Sequence, residues 1–197
     1  RVEGRRCTLA DRRVAALLLG TTSLLVLPLG GAAEAADPAC AGVPLCNVQR
    51  GANGQNGEIL FNWRTFGTAG SAAAPITQSN SGAIGGVANS AILLWSIGGK
   101  GGNGDYGVLR NVPGEPGGAG GSVTLTNSGA ISGGSNHTTA VPLISLISQG
   151  GTGGNGFKAG DLGGLGAGGK GGDVTVNLTA NVTASGTFTP ALYMLSQ

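Results

Sequence analysis

Beyond residue 50 the chain consists of short apolar runs set between long glycine blocks, and the arrangement comes round three times. Val123 and Leu125 alternate with Thr124 and Thr126, and Val174 and Val176 alternate with Thr175 and Asn177. An alternation of period two puts the apolar set on one face of a strand and the polar set on the other. A second apolar run follows in every unit: AILLWS at 91–96, LISLIS at 143–148 and ALYMLS at 191–196. Matching positions lie 47 to 52 residues apart, so the chain carries an internal repeat.

Aligning the units gives columns of like residues: Ile84/Ile131/Val182, Ile92/Ile144/Leu192, Leu94/Leu146/Met194 and Ser96/Ser148/Ser196. Stacked units would turn each column into a ladder at the ~4.8 Å spacing of paired strands. Such stacking closes an apolar core that no unit could bury alone. The pattern predicts an all-β chain, a right-handed parallel β-helix or solenoid with glycine-rich inserts. The inserts span 51–74, 98–121 and 150–172, and the coils span 75–97, 122–149 and 173–197. Asn80-Ser81-Gly82 and Asn127-Ser128-Gly129 mark turns after the first strand, where an Asn amide can stack and Gly permits positive φ. The third unit has Leu178-Thr179-Ala180 there, so the amide ladder is expected to weaken or shift.

Within the inserts glycine recurs every third residue, as at 98, 101, 104 and 107, and again at 160, 163, 166, 169 and 172. Three residues per turn is the repeat of a polyproline II helix, whose glycine edge admits close neighbours. One reading is an extended hairpin with tips at Glu58–Phe66, Val108–Pro113 and Phe157–Ala159, the hairpins packed over a face bearing Trp95 and Ile147. The other is a flexible glycine loop, which the composition fits equally well.

Glycine supplies 41 of 197 residues, while aromatics are 4% and charged residues 10%. Residues 1–35 read as a helical signal peptide: arginines precede the apolar run Val14–Gly30, and Ala33-Glu34-Ala35 offers a small-x-small cleavage site. The run is 17 residues interrupted by Thr, Ser and Pro28, short of the ~20 that a membrane-spanning helix needs. Past residue 35 six basic residues balance six acidic ones, so no nucleic-acid partner is expected. The segment 36–50 carries Cys40 and Cys46, a pair suited to a small disulfide loop in an oxidising compartment.

The NSGAI turns at 80–84 and 127–131, the strand endings WSIGG at 95–99 and ISQGG at 147–151, and the GGxGGNG blocks at 98–104 and 150–156 resemble the glycine-rich passenger regions of type V autotransporters. The likeness covers roughly residues 51–197. It implies an exported, surface-displayed segment with a structural or adhesive role. Translocation would use an outer-membrane β-barrel not contained in these residues. Its contacts would be with host cells, matrix or itself, and the chain is expected to be a monomer. The third unit stops at Gln197, where the first two continue with Gly-Gly, so an N-terminal piece of a longer protein is expected.

No catalytic constellation is apparent, and neither an enzyme nor a cofactor is expected. His137 is the sole histidine and sits in the polar stretch SNHTT. The acidic residues are scattered singly, without the pair that glycoside hydrolysis uses. GGNGD at 101–105 is similar to a calcium-binding nonapeptide, but only one unit carries the Asp. Two alternatives stand beside the passenger reading: part of a carbohydrate-active β-helix enzyme with its site elsewhere, or another glycine-rich cell-surface protein.

Overall fold

The computed structural model describes residues 37–60, 63–104, 112–158 and 161–197. The expected signal peptide, Asp105 and most of the middle insert's tip lie outside the described residues. The described chain is nearly all β. A short 3-10 turn, Pro38–Cys40, precedes β1 (Leu45–Arg50), β2 (Glu58–Leu60) and β3 (Trp63–Thr65). Then come β4 (Ile76–Asn80), β5 (Ile84–Val87), β6 (Ile92–Ile97), β7 (Val123–Asn127), β8 (Ile131–Gly133) and β9 (Ile144–Gln149). The rest are β10 (Gly156–Lys158), β11 (Asp161–Gly163), β12 (Val174–Leu178), β13 (Val182–Ala184) and β14 (Leu192–Ser196).

Three parallel sheets collect equivalent strands of successive units: β1-β6-β9-β14, β4-β7-β12 and β5-β8-β13. The register follows the sequence columns. Ile92 pairs with Ile144 and Ile144 with Leu192; Leu94 pairs with Leu146 and Leu146 with Met194; Ile84 pairs with Ile131 and Ile131 with Val182. A slip of one residue would turn every apolar side chain outward, which is why like stacks on like.

The core lies where these columns pass through the middle of the stack. Ile92, Leu94, Val123, Leu125, Ile144 and Leu146 are all fully buried. Burying a side chain of this size is worth about 1.5–3 kcal/mol. In the third unit Val174, Val176, Val182 and Leu192 are only partly buried, and Met194 is 40% exposed in the column where Leu94 and Leu146 are 0%. The difference is positional: these side chains have a neighbour on one side of the stack only.

Two local irregularities have readable causes. β5 uses three steps from Ile84 to Val87 where β8 uses two from Ile131 to Gly133, and Gly86 takes up the extra residue at φ 70°. At the NSG turns, Asn80 Nδ2 donates to Asn127 Oδ1 (2.6 Å) and to the Gly82 carbonyl, and buried Asn127 donates to the Gly129 carbonyl. Leu178 takes the next place in that column without any change of register, so the amide chain ends while the strand pairing does not shift.

Candidate functional site: the glycine limbs and the two ends of the stack

Each glycine insert runs out and back. The outgoing limbs are 51–57, 98–104 and 150–156, and the return limbs are 67–74, 114–121 and 164–172. The first and third inserts close in short antiparallel pairs, β2 with β3 and β10 with β11. The outgoing limbs prolong the hydrogen-bond rows of the β1-β6-β9-β14 sheet: Gly51 N–H donates to the Ile97 carbonyl, Gly98 to Gln149 and Gly150 to Gln197.

Beyond that junction the donors fall three residues apart. Gly51, Gly54 and Gly57 donate to Ile97, Lys100 and Asn103 at 2.7–3.0 Å, and Gly98, Gly101 and Gly104 donate to Gln149, Thr152 and Asn155 at 2.8 Å. The return limbs do the same, with Gly114, Gly117 and Gly120 donating to Gly164, Ala167 and Lys170. A donor every third residue is the signature of a three-residue screw.

A second set of bonds ties outgoing limbs to return limbs. Gly99 and Gly102 donate to the Ser71 and Thr68 carbonyls of the preceding unit, and Gly151 and Gly154 donate to Gly118 and Glu115. Within a unit Gly118 and Glu115 donate back to Gly99 and Gly102. Three further N–H groups of the outgoing limbs are met by side-chain amides. Lys100 N donates to Asn53 Oδ1, Asn103 N to Asn56 Oδ1 and Asn155 N to Asn103 Oδ1, at 2.9–3.0 Å.

Packing this close leaves no room for a side chain. A Cβ at Gly99 would fall on the Ala52 carbonyl oxygen, at Gly117 on that of Gly151, and at Gly118 on that of Ser71. The limbs therefore form an ordered bundle, the first of the two readings of the inserts. One part of that reading is corrected. The hairpins do not lie over the Trp95/Ile147 face: the atoms nearest the limb glycines belong to other limbs or to the strand ends at Ser148, Gln149 and Gln197, and none to Trp95 or Ile147. The limbs run on from the strands instead of folding back across them.

A buried serine column joins bundle to core. Ser96 Oγ donates to the Ala74 carbonyl (3.0 Å) and accepts from Gly121 N (2.9 Å). Ser148 Oγ donates to the Gly121 carbonyl (2.8 Å) and accepts from Gly172 N (2.6 Å), and Ser196 continues the pattern to the Gly172 carbonyl. Ser96 and Ser148 are 0% exposed, so each hydroxyl is shielded from water while it holds two backbone groups.

The first unit is closed off by side chains. Ala52 N and Gln55 N are the counterparts of Gly99 N and Gly102 N, but among the described residues no earlier return limb receives them. They donate instead to Ser71 Oγ and Thr68 Oγ1, each at 2.7 Å. Beside β1, Cys40 and Cys46 are joined by a disulfide with their Cα atoms 5.4 Å apart. Arg50 Nε and Nη2 both reach Asp37 Oδ2 at 2.9 Å, and the guanidinium lies 5.6 Å from the Trp95 ring centroid. A bond from Ala39 N to the Asp37 carboxylate, followed by the Arg50 contact, holds the Asp37 carboxyl below the usual aspartate range.

The remaining candidates do not converge. His137 Nε2 lies 3.1 Å from both Ser135 Oγ and the Ala88 carbonyl, and Ser135 Oγ itself donates to that carbonyl at 3.1 Å. Among the described residues no three His, Cys, Asp or Glu side chains gather as a metal site would. Sequence reasoning missed the capping hydroxyls and the Asn53, Asn56 and Asn103 acceptors. Their signal was the substitution of Thr68 and Ser71 in columns that read Glu115 and Gly118, then Gly166 and Gly169. The chain matches no protein-family model, no curated protein and no solved structure.

Proposed function

We propose that the chain is a segment of an exported, surface-displayed passenger, a right-handed parallel β-solenoid whose role is structural or adhesive. The observation that carries this reading is the unit-on-unit pairing: each long strand and each limb bonds to its counterpart one repeat away. A chain built this way gains length with every unit and spends its polar groups on its own backbone. Right-handedness follows the general preference of parallel crossovers. The leader at 1–35, the near-neutral remainder and the Cys40–Cys46 loop suit passage through an oxidising compartment on the way out of the cell.

The test is expression of the full chain in a bacterium with an outer membrane, followed by fractionation and mass spectrometry. The expected product is found outside the cytoplasm, begins at Ala36 after cleavage beyond Ala35, and carries Cys40 and Cys46 oxidised. Cytoplasmic retention with an intact leader and two alkylatable thiols would overturn the reading.

A further inference from the structure

We propose that Asn53-Gly54, Asn56-Gly57 and Asn103-Gly104 are self-modification sites gated by the glycine limbs: inert while the limbs are packed, and deamidated by water to aspartate and isoaspartate once a limb opens. The proposal rests on the limb bonds alone and does not depend on export.

The sequence contains four Asn-Gly pairs, beginning at 53, 56, 103 and 155, and all of them lie in outgoing limbs. Asn-Gly is the dipeptide most prone to deamidation, because no side chain hinders approach of the following backbone nitrogen to the Asn amide. Packing is what places glycine there. A Cβ at Gly54 would fall on the Thr68 carbonyl oxygen, and at Gly104 it would come within 2.6 Å of the Val112 carbonyl oxygen. The limb cannot exchange the labile pair for a stable one without losing its close neighbours. Burial does not shield the amides either, since Asn53 and Asn56 are exposed and Asn103 is half-buried.

Each of the three pairs instead clamps one residue of the following unit. Lys100 N–H donates to Asn53 Oδ1 at 2.9 Å, while Gly54 N–H donates to the Lys100 carbonyl at 2.7 Å. Asn103 is held in the same way by Asn56 and Gly57, both at 3.0 Å. Asn155 is held by Asn103 and Gly104, at 2.9 and 2.8 Å. The clamp fixes both reacting groups. The nitrogen that must attack is turned to a carbonyl of another unit, and the side-chain carbonyl it must attack is anchored by the N–H of that same residue.

The reaction needs only water. In an opened limb the Gly nitrogen gives up its proton to solvent base and bonds to Asn Cγ; the Cγ–Nδ2 bond breaks and ammonia leaves. Water then opens the cyclic imide. Cleavage at the side-chain carbonyl gives aspartate, cleavage at the backbone carbonyl gives isoaspartate, and nothing is oxidised or reduced. Aspartate still offers an oxygen to the clamped N–H. Isoaspartate routes the backbone through Cβ and Cγ, which adds a methylene to the limb and moves every later donor off its three-residue spacing. A limb that has reacted this way no longer closes, so a brief local opening leaves a permanent mark.

The test is the full chain aged at mildly alkaline pH, native or unfolded in guanidinium chloride. Peptide mapping by mass spectrometry follows each Asn, and electron-transfer fragmentation identifies isoaspartate. Conversion at Asn53, Asn56 and Asn103 should be at least tenfold slower in the native chain. Gly102→Ala places its Cβ on the Gln55 carbonyl oxygen, between the first two clamps. It should speed conversion at Asn53 and Asn56 at least threefold while the sheet signal in circular dichroism holds. Should that variant fail to fold, the unaltered chain in denaturant below its unfolding midpoint supplies the comparison, with exchange of the Lys100 amide reporting opening of the Asn53 clamp. Chains carrying isoaspartate at 53 should exchange the Lys100 amide at least tenfold faster than fresh ones. Equal rates in native and unfolded chains, conversion that rises only with loss of the sheet signal, or Lys100 protection that survives isoaspartate at 53 would overturn the proposal.

Discussion

Two glycine-to-alanine changes separate an ordered bundle from loose loops. At Gly102 the added Cβ would fall on the Gln55 carbonyl oxygen, with the Gln55 carbonyl carbon at 2.7 Å and the Thr68 carbonyl oxygen at 3.0 Å. All three are backbone atoms, so none can swing aside. Gly102 also donates to Thr68 O at 2.9 Å and accepts from Glu115 N at 3.0 Å, and separating the limbs stretches both bonds. Overpacking of this kind costs about 1–3 kcal/mol, and two weakened bonds add roughly 1–2 kcal/mol at a net ~1 kcal/mol each. Alanine returns about 0.4–1 kcal/mol by restricting the unfolded chain, which leaves a net loss of about 1–5 kcal/mol.

At Gly164 nothing lies within 4 Å of the added atom and φ is not left-handed, so only the unfolded-state gain remains. Gly164→Ala should therefore be neutral or slightly stabilising. Gly42 separates space from conformation: its Cβ position is also empty, but φ is +73°. Gly42→Ala should cost about 1 kcal/mol through backbone strain alone. Urea titration followed by far-UV circular dichroism measures all three. Equal midpoints for Gly102→Ala and Gly164→Ala would refute the reasoning, because mobile loops would not distinguish them.

Ser148→Ala should lose roughly 2–3 kcal/mol by stranding the Gly121 carbonyl and Gly172 N–H, whereas Ser196→Ala at the exposed end should lose far less; paired thermal melts compare them. Leu146→Asp should abolish the sheet signal in circular dichroism, since an unpaired carboxylate in a 0%-exposed site costs several kcal/mol. The Asp37 carboxyl is held below its ordinary range, so its contribution to the N-terminal turn is complete above that range and lost as pH falls through the depressed value. Amide protection at Ala39 and Cys40, measured relative to the intrinsic exchange rate at each pH, should fall in acid, and Asp37→Asn should remove that acid dependence. Replacing Cys40 and Cys46 with serine should cost about 2 kcal/mol on the chain-entropy account of a short loop, measured by denaturant unfolding under non-reducing conditions.

The strand columns were legible because period-two alternation and like-on-like stacking are one constraint seen along and across the strands. Leu94 and Leu146 can share an interior place only if Trp95 and Ile147 share an exterior one, and the pairing of both follows. The three-residue glycine spacing was legible for a similar reason, since a screw of that pitch returns one edge per turn. The direction of the limbs was not. Composition does not say whether a chain leaving Ile97 turns back over its sheet or runs on, and the unbroken row from the β1–β6 pairing through Gly51 to Gly57 settles that it runs on.

The asymmetry of the two ends was hidden for a different reason. Read along the chain, Thr68 and Ser71 look like dilution of a glycine tract. Their meaning appears only across the bundle, because Gly118 packs where Ser71 has a carbonyl and Gly169 packs where Gly118 has one. Among the described units a side chain is tolerated in that column only in the first, and there its hydroxyl takes the N–H whose counterpart in the next unit goes to a backbone carbonyl. The same substitution in the second or third unit would clash with backbone and gain nothing. One residue type thus marks an end in the first unit and would disrupt the bundle in the others, so position in the stack, and not propensity, decides what each residue of these limbs does.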